Sequence, residues 1–340
     1  MIEAEPEGLL AARLVERAEA AGPSGLIFVA RGETRAARLA RAARALAPAT
    51  MEVLHLPGWD CLPYDRVSPS CAIMGRRLSL LDRLGRPARG ARLLIASVEA
   101  ATQRLPRDAA RADLHFAPGE PLDPEALRQA LLRFGYILDE RVDAPGEAAI
   151  HGSVADLFPA TEEGASAWRI RHEEGRITGI SRYDVLTQRS LEEAPSLTLL
   201  PASELVLPEG KAMEERPPGL EHALPAFGTA LVPPMGLLPE AAILLDAETE
   251  ATREQRLAEV EEAFRTRIAL RPSLPGGPPV PPPAELYLDD AAWKAALHGR
   301  QVETAENGED APTPPRFAGE ADPDAAFLSF LEEETGQGRR

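Results

Sequence analysis

The chain has 340 residues, 44% of them hydrophobic and 27% charged, and its formal net charge at pH 7 is −17. Length and composition are those of a globular protein of about two domains. No apolar run reaches the roughly 20 residues that a membrane-spanning helix needs. The net negative charge argues against a protein whose main function is to bind nucleic acid, since phosphate contacts need a dense positive surface. We therefore expect a soluble, cytoplasmic chain that does not bind a membrane.

The first part of the chain alternates short apolar runs with amphipathic helical patterns, which is typical of parallel βαβ units. The apolar runs predict strands at 25–30, 51–56 and 92–97. Helical patterns occur at 34–46, 73–84, 98–105 and 122–134, the last starting with Asp123 as an N-cap before Pro124. The sequence thus predicts an α/β layer.

Strand and helix patterns resume after a β-rich middle segment. They predict strands at 241–246 and 285–289 and helices at 248–270 and 291–297, with an extended polyproline connector at 272–283. The simplest interpretation is one α/β domain in two parts, 1–134 and 206–300, interrupted by a small α+β domain at 135–205. Residues 301–340 are expected to be an acidic linker, with a helix at 325–334, and the truncated start of a following domain.

Two runs within the middle segment predict sheet structure. Residues 146–159 alternate as one strand, and 167–177 form a hairpin with Trp168 and Ile170 on a core face and Arg169 and Arg171 on the other. Five arginines against three carboxylates occupy 166–190, a positive patch in an acidic chain. This pattern indicates a docking surface, while an ordinary solvated hairpin face remains the alternative.

The residues that would support nucleotide or metal chemistry are missing from the expected places. The chain has two lysines, Lys211 and Lys294, and neither lies in a phosphate-binding loop, so ATPase activity is not expected. The six histidines have no spacing that would place two of them on one helical face, so no metal or other cofactor is predicted. The pair Asp289-Asp290 is interpreted as a helix N-cap.

Several runs together resemble the amino-terminal module of bacterial transcription-repair coupling factor (Mfd), the part of that family that is similar to the excision-repair protein UvrB. They cover roughly residues 20–300 in order. The runs are LPGWDCLPYDRVSP at 56–69, GRRLSLL at 75–81, SVEAATQRL at 97–105, GY at 135–136, GE at 146–147, Gly152, DLFP at 156–159, YD at 183–184, TQRSLEE at 187–193 and LPASE at 200–204.

This resemblance implies a degenerate RecA-like domain, related to the P-loop NTPases, with an inserted domain that binds UvrA. The implied UvrA-contacting arginines fall on Arg169 and Arg189. Neighbours predicted to share the surface are Arg171, Arg182 and Tyr183. Because Arg169 is predicted to face outward from a rigid strand, reversing its charge together with that of Arg189 is expected to leave the thermal midpoint nearly unchanged.

The function implied is recruitment of UvrA, which links stalled transcription to nucleotide excision repair. The chain itself is expected not to be an enzyme, although the full-length family is implied to be an ATP-dependent DNA translocase. RNA polymerase and DNA would be engaged only through domains absent from this chain. Two alternatives remain: a nucleotide-driven, helicase-like DNA-remodelling protein, and a divergent remnant that has kept no partner.

Overall fold

The computed structural model describes residues 6–161, 167–213, 216–270, 278–305, 317 and 321–336. The α-helices are α1 (Glu7–Ala21), α2 (Glu33–Leu46), α3 (Cys71–Gly85), α4 (Val98–Ala101), α5 (Pro124–Arg133), α6 (Thr249–Leu270), α7 (Pro283–Leu286), α8 (Asp290–Leu297) and α9 (Pro323–Gly336). Short 3₁₀ helices cover Gly22–Ser24, Arg107–Arg111, Leu220–Phe227 and Pro234–Leu237. Among the described helices, none is both long enough and apolar enough to cross a bilayer.

The strands of the described residues form three sheets. In chain order they are β1 (Leu26–Ala30), β2 (Glu52–Leu56), β3 (Arg92–Ser97), β4 (Leu114–Phe116), β5 (Ile137–Leu138), β6 (Glu147–His151), β7 (Val154–Leu157), β8 (Ala167–Glu173), β9 (Arg176–Tyr183), β10 (Ser190–Glu193), β11 (Leu197–Leu199), β12 (Ala242–Leu245) and β13 (Val302–Thr304).

The first sheet is parallel throughout and has the strand order β13-β12-β1-β3-β2. Its central strands β1 and β3 are buried at every residue, because helices cover both faces. Helices α1 and α2 pack against the face that carries Phe28 and Leu93, and α3 and α8 against the face that carries Ile27 and Leu94. This three-layer arrangement confirms the predicted α/β fold with a parallel sheet.

Most helices and strands predicted for this domain are present. The helix predicted at 98–105 is only the single turn α4, since Gln103 and Leu105 form β-bridges, and the other differences lie near the end of the domain. The strand predicted at 285–289 is wrong: α7 begins at Pro283, whose fixed φ favours the first turn of a helix, and Tyr287 makes only an isolated bridge to Gln103. Strand β13 lies beyond the predicted boundary at 300 and pairs with β12. Asp289 caps α8, as predicted, by accepting a hydrogen bond from the Ala292 amide at 2.8 Å.

The predicted connector and tail fall partly outside the described residues. Residues 271–277, which include the first part of the polyproline connector, are not described, and neither are 306–316, 318–320 and 337–340 of the acidic tail. The helix predicted at 325–334 is present as α9, two residues longer at each end.

The second sheet has six strands in the order β10-β9-β8-β7-β6-β5, antiparallel except for β5 with β6. Helix α5 and the small β4-β11 sheet pack against its core face through Leu131, Phe116 and Leu199, which meet Ala155 and Ile170. Residues that the sequence placed before the boundary at 135 therefore share the core of this sheet. We call this unit, residues 114–205, the inserted unit.

One strand prediction in the inserted unit is wrong. Residues 146–159 do not form one continuous strand but the β6-β7 hairpin, in which His151 pairs with Val154. The chain reverses at Gly152, whose φ of +54° lies in the left-handed region that glycine tolerates best. The predicted hairpin at 167–177 is present, and its two-residue turn at Glu174 and Gly175 has positive φ at both positions.

The inserted unit is fixed to the parallel-sheet domain by close packing and a buried ion pair. A Cβ atom at Gly75 of α3 would lie 1.3 Å from the Ala160 carbonyl oxygen, so only glycine permits this approach. Beside it, the fully buried Arg77 of α3 donates through Nε to the equally buried Glu204. Arg77 also donates to the Pro57 carbonyl at 2.7 Å, which ties α3 to the loop after β2.

Candidate protein-interaction site

The predicted arginine face lies on strands β7, β8 and β9. Asp156, Arg169 and Ser181 are directly opposite one another across these three strands and therefore share one face of the sheet. The neighbouring row, which includes Ile170 and Ile180, points to the opposite face and into the core. The register thus places Arg169 away from the core of the inserted unit, as the alternation of the sequence predicts.

Arg169 is engaged within the chain. Its Nε and Nη2 atoms donate to the two carboxylate oxygens of Asp156 at 2.8 and 2.7 Å, and its guanidinium lies 4.5 Å from the centre of the Tyr183 ring. The hydrogen bonds to Asp156 raise the pKa of Arg169 above its usual range. Burial raises the pKa of the Tyr183 hydroxyl to about 12, so the ring stays neutral under Arg169. The structure places the predicted residues Arg169 and Tyr183 in direct contact. The prediction that Tyr183 shares the exposed surface is wrong, because its side chain packs into a small core with Val142 and Phe158 and is 1% exposed.

Arg169 also reaches the turn at 184–189, which joins β9 to β10. Its Nη2 atom donates to the Gln188 side-chain oxygen at 3.0 Å, while the Gln188 side-chain nitrogen donates to the Val185 carbonyl at 2.9 Å. The Asp184 amide donates to the Arg189 carbonyl at 3.0 Å. Gln188 has a φ of +58°, a strained value for a residue with a side chain. Arg169 therefore donates a hydrogen bond to the strained residue of this turn.

Arg171 and Arg182 have carboxylate neighbours too, but on different faces. Arg171 shares the face of Arg169 and lies 3.4 Å from Glu193. Arg182 is paired across the strands with Trp168, lies over its ring at 5.8 Å and donates to Glu192 at 2.8 Å. The prediction of one surface with Arg169 is therefore wrong for Arg182, because one residue along a strand changes the face.

Arg189 differs from the other predicted arginines. It is exposed, and its guanidinium has no hydrogen bond or ion pair with any residue that the structure describes. Two leucines that the sequence analysis did not select lie close to it in sequence: Leu186 is 84% exposed and Leu191 is 62% exposed. Leu191 is the extra residue of a bulge in β10, between the residues that pair with Tyr183 and Arg182. The signal available in the sequence was three apolar residues, Val185, Leu186 and Leu191, among the polar residues of 184–193.

A second group of charges lies at the carboxyl edge of the parallel sheet, where α/β proteins commonly bind phosphates. Arg35 donates from Nε to Asp246 at 2.6 Å, and both side chains are largely buried. Glu33, in the first turn of α2, accepts from the Gly58 amide at 2.9 Å and lies 3.1 Å from His55. This edge is filled by the chain's own ion pairs, with a carboxylate at the helix N-terminus. Within the described residues, no three His, Cys, Asp or Glu side chains are grouped to hold a metal ion.

Comparison with known proteins gives one matching family model and several similar proteins. Residues 114–205 match the model of the UvrB interaction domain family, and this range contains the strands of the six-stranded sheet and of the β4-β11 sheet. The chain is also similar to transcription-repair-coupling factors: 30% identical over 261 residues to that of Haemophilus influenzae, covering 68% of this chain, and 31% identical over 261 residues to that of Escherichia coli, covering 66%. The Bacillus subtilis protein is 32% identical over 177 residues, which cover 51% of this chain and 15% of that protein.

The chain spans 22% of the length of the Haemophilus and Escherichia proteins. The matched part includes the UvrB interaction domain model and about two thirds of this chain. The resemblance drawn from the sequence is therefore confirmed: this chain is similar to the amino-terminal UvrB-homology module of the transcription-repair coupling factors.

Proposed function

We propose that the chain recruits UvrA through its inserted unit and so links stalled transcription to nucleotide excision repair. The observation that carries this proposal is the match of the UvrB interaction domain family to 114–205, the range that contains the six-stranded sheet. This unit presents an exposed arginine and two exposed leucines beside it. Arginine is enriched at the centre of protein interfaces, where it pairs with carboxylates.

The proposal includes a degenerate RecA-like fold for the parallel-sheet domain, without ATPase or translocase activity in this chain. Nucleotide binding at such a fold uses a lysine and free backbone amides that hold the β and γ phosphates. Here Asp246 is paired with Arg35, and Glu33 lies at the start of α2, where a phosphate would be repelled. Contacts with RNA polymerase and DNA would belong to domains outside this chain.

A binding titration tests the proposal. The 340-residue chain is added to fluorescently labelled UvrA at physiological salt, and saturable binding with one defined stoichiometry is expected. The matched control is a chain that carries both Arg189→Glu and Leu186→Ser, changes confined to exposed side chains. Absence of binding by the folded wild-type chain would contradict the proposal and favour a remnant without a partner.

A nucleotide-driven DNA-remodelling protein is the second candidate, and the α/β layer with Asp246 at the end of a sheet strand is the observation in its favour. This candidate requires ATP to displace Arg35 from Asp246. DNA-stimulated ATP hydrolysis by the purified chain would support this second candidate. It would contradict the proposal that the chain has no ATPase or translocase activity.

A further inference from the structure

We propose that helix α9 docks, within its own chain, in a groove between α6 and the loop at 62–66. The groove has a volume of about 700 Å³ and a mainly apolar lining. It belongs to the parallel-sheet domain, so its occupancy is independent of UvrA recruitment by the inserted unit. The helix is amphipathic and acidic, and the groove offers apolar surface beside unpaired positive charge.

One face of α6 forms the longer wall of the groove. Ala258, Glu262, Thr266 and Leu270, each four residues after the last, lie on this wall and therefore on one side of the helix. The facing wall carries Leu62, whose side chain is 69% exposed. Short side chains on α6 let another helix approach closely, and the leucines at both walls supply apolar contact. The shape suits the side chains of a packed helix.

The charges at the groove are positive where they are available. The groove has three carboxylates that already accept a hydrogen bond or form an ion pair within the chain: Asp65, Glu259 and Glu262. The guanidinium groups of Arg66 and Arg267, which also line the groove, have no hydrogen bond or ion pair with any residue that the structure describes. A carboxylate from an occupant would therefore gain a charge-assisted pair without breaking one.

Helix α9 lacks a surface to pack on. It has 14 residues, a length at which an isolated helix is only marginally stable in water. None of its residues belongs to the hydrophobic clusters formed by the described part of the chain. Phe317 covers part of it, with ring centres 5.5 and 5.6 Å from those of Phe327 and Phe330, but Phe327 remains 46% and Leu328 59% exposed. A docking surface would stabilise this helix.

The pattern of α9 matches the groove. Phe327, Leu328 and Phe330 form an apolar stripe, and Glu332 and Glu333 in the next turn fall on its two flanks at 100° per residue. Such a stripe would enter the apolar part of the groove and bring carboxylates towards the unpaired arginines. A basic helix would meet these arginines with like charge, so charge complementarity favours α9 as the occupant.

The chain between β13 and α9 is long enough for docking within one molecule. Residues 306–322 can span up to about 60 Å when extended, whereas a domain of about 200 residues has a radius of gyration of about 17 Å. A tether of this kind gives the helix an effective concentration in the millimolar range. Docking within the chain therefore precedes docking between two copies at micromolar protein concentration.

Hydrogen exchange of the full chain, read at the α9 amides 325–333, tests the proposal. These amides should be protected in the wild type. Leu62→Ser and Arg66→Glu/Arg267→Glu, which are remote from α9 in sequence, should each speed their exchange about tenfold or more because docking is lost. Leu46→Ser, at an exposed position on α2, is the matched control and should leave them unchanged.

The reciprocal measurement uses the double variant Phe327→Ser/Leu328→Ser, which should speed exchange at amides 262–270 of α6. Added salt should speed α9 exchange in the wild type, since it screens the arginine-carboxylate pairs. Circular dichroism and the urea midpoint check that every variant is folded.

Three results would overturn the proposal. Wild-type α9 amides that exchange as fast as those of an unstructured peptide would show that the helix does not dock. Protection that persists in the folded groove variants would place α9 on another surface. Protection that rises with protein concentration, together with a dimer in light scattering, would make a second copy the occupant.

Discussion

Two clusters of arginines and carboxylates give opposite outcomes in this molecule. At the carboxyl edge of the parallel sheet, Arg35 and Asp246 neutralise each other and are largely buried. On the inserted unit, the pair of Arg169 and Asp156 supports a turn whose tip carries Arg189 without a partner among the described residues. The number of charges in a cluster therefore does not decide whether the cluster is available to a ligand. What decides it is whether each charge is already paired within the chain.

The largest effect is expected at the junction of these two regions. Arg77 and Glu204 are fully buried and paired, so Arg77→Ala leaves a buried carboxylate without its cation. Breaking such a pair costs about 3–5 kcal/mol. Urea unfolding followed by circular dichroism should show this loss in the free energy of unfolding.

The matched control is Arg77→Met/Glu204→Leu, which removes both charges and should recover part of that loss. A single variant as stable as the wild type would show that the junction does not depend on the pair, and that the two regions are joined by apolar packing alone.

The next effect concerns Arg169. The expectation that its reversal leaves the thermal midpoint nearly unchanged does not agree with the structure, because Arg169→Glu would set two carboxylates against each other at a half-buried position. A destabilisation of about 1–3 kcal/mol is expected. Thermal unfolding of Arg169→Glu and Arg189→Glu should separate the two, with the Arg189 variant within about 0.5 kcal/mol of the wild type. Equal thermal midpoints for the two variants would contradict the expectation that the paired Arg169 contributes more to stability than the unpaired Arg189.

A smaller effect is expected from pH at the edge of the parallel sheet. Burial acts to raise the pKa of Glu33, but hydrogen bonds from His55 and the Gly58 amide outweigh it and hold the pKa below its usual 4.5. A lowered folded-state pKa means that the stabilisation is present above pH 4.5 and is lost as the pH falls through the folded value. The difference in urea midpoint between wild type and Glu33→Gln should therefore shrink below pH 4.5. A difference that stays constant down to pH 3 would contradict this.

The smallest effect is expected in a measurement of nucleotide binding. Equilibrium dialysis with labelled ATP and Mg²⁺ should detect no binding to the wild-type chain, since Arg35 occupies Asp246 and Glu33 lies at the start of α2. Arg35→Ala is the informative companion, because it frees Asp246 without supplying the missing lysine. Tight ATP binding by the wild type would show that the cluster at the sheet edge is also available to a ligand, in spite of its internal ion pairs.

The sequence predicted the parallel sheet well because its signals are local. Strands such as β1 are apolar throughout, and helix starts such as Asp123-Pro124 have residues with a definite capping role. Two predictions failed because a single residue with a strong backbone preference was overlooked. Gly152 reverses the chain between β6 and β7, and Pro283 begins a helix where a strand was predicted.

The candidate site was only partly predictable. Alternation placed Arg169 on the outer face, but the pairing of Arg169 with Asp156 depends on strand register across β7 and β8, which the sequence does not specify by itself. The face of Arg182 follows from the same register. The exposure of Leu186 and Leu191 arises from a turn with positive φ at Gln188 and from a bulge, and both depend on tertiary contacts.

Hydrogen exchange of the full chain with and without saturating UvrA is the sharpest test of recruitment through the inserted unit, since it reports on both clusters in one experiment. If the inserted unit binds UvrA, exchange is expected to become slower at amides 184–193 of this unit and to stay unchanged at 31–35 and 246–249 on the edge of the parallel sheet. Protection confined to the parallel-sheet edge, or binding that leaves 184–193 unprotected, would contradict it.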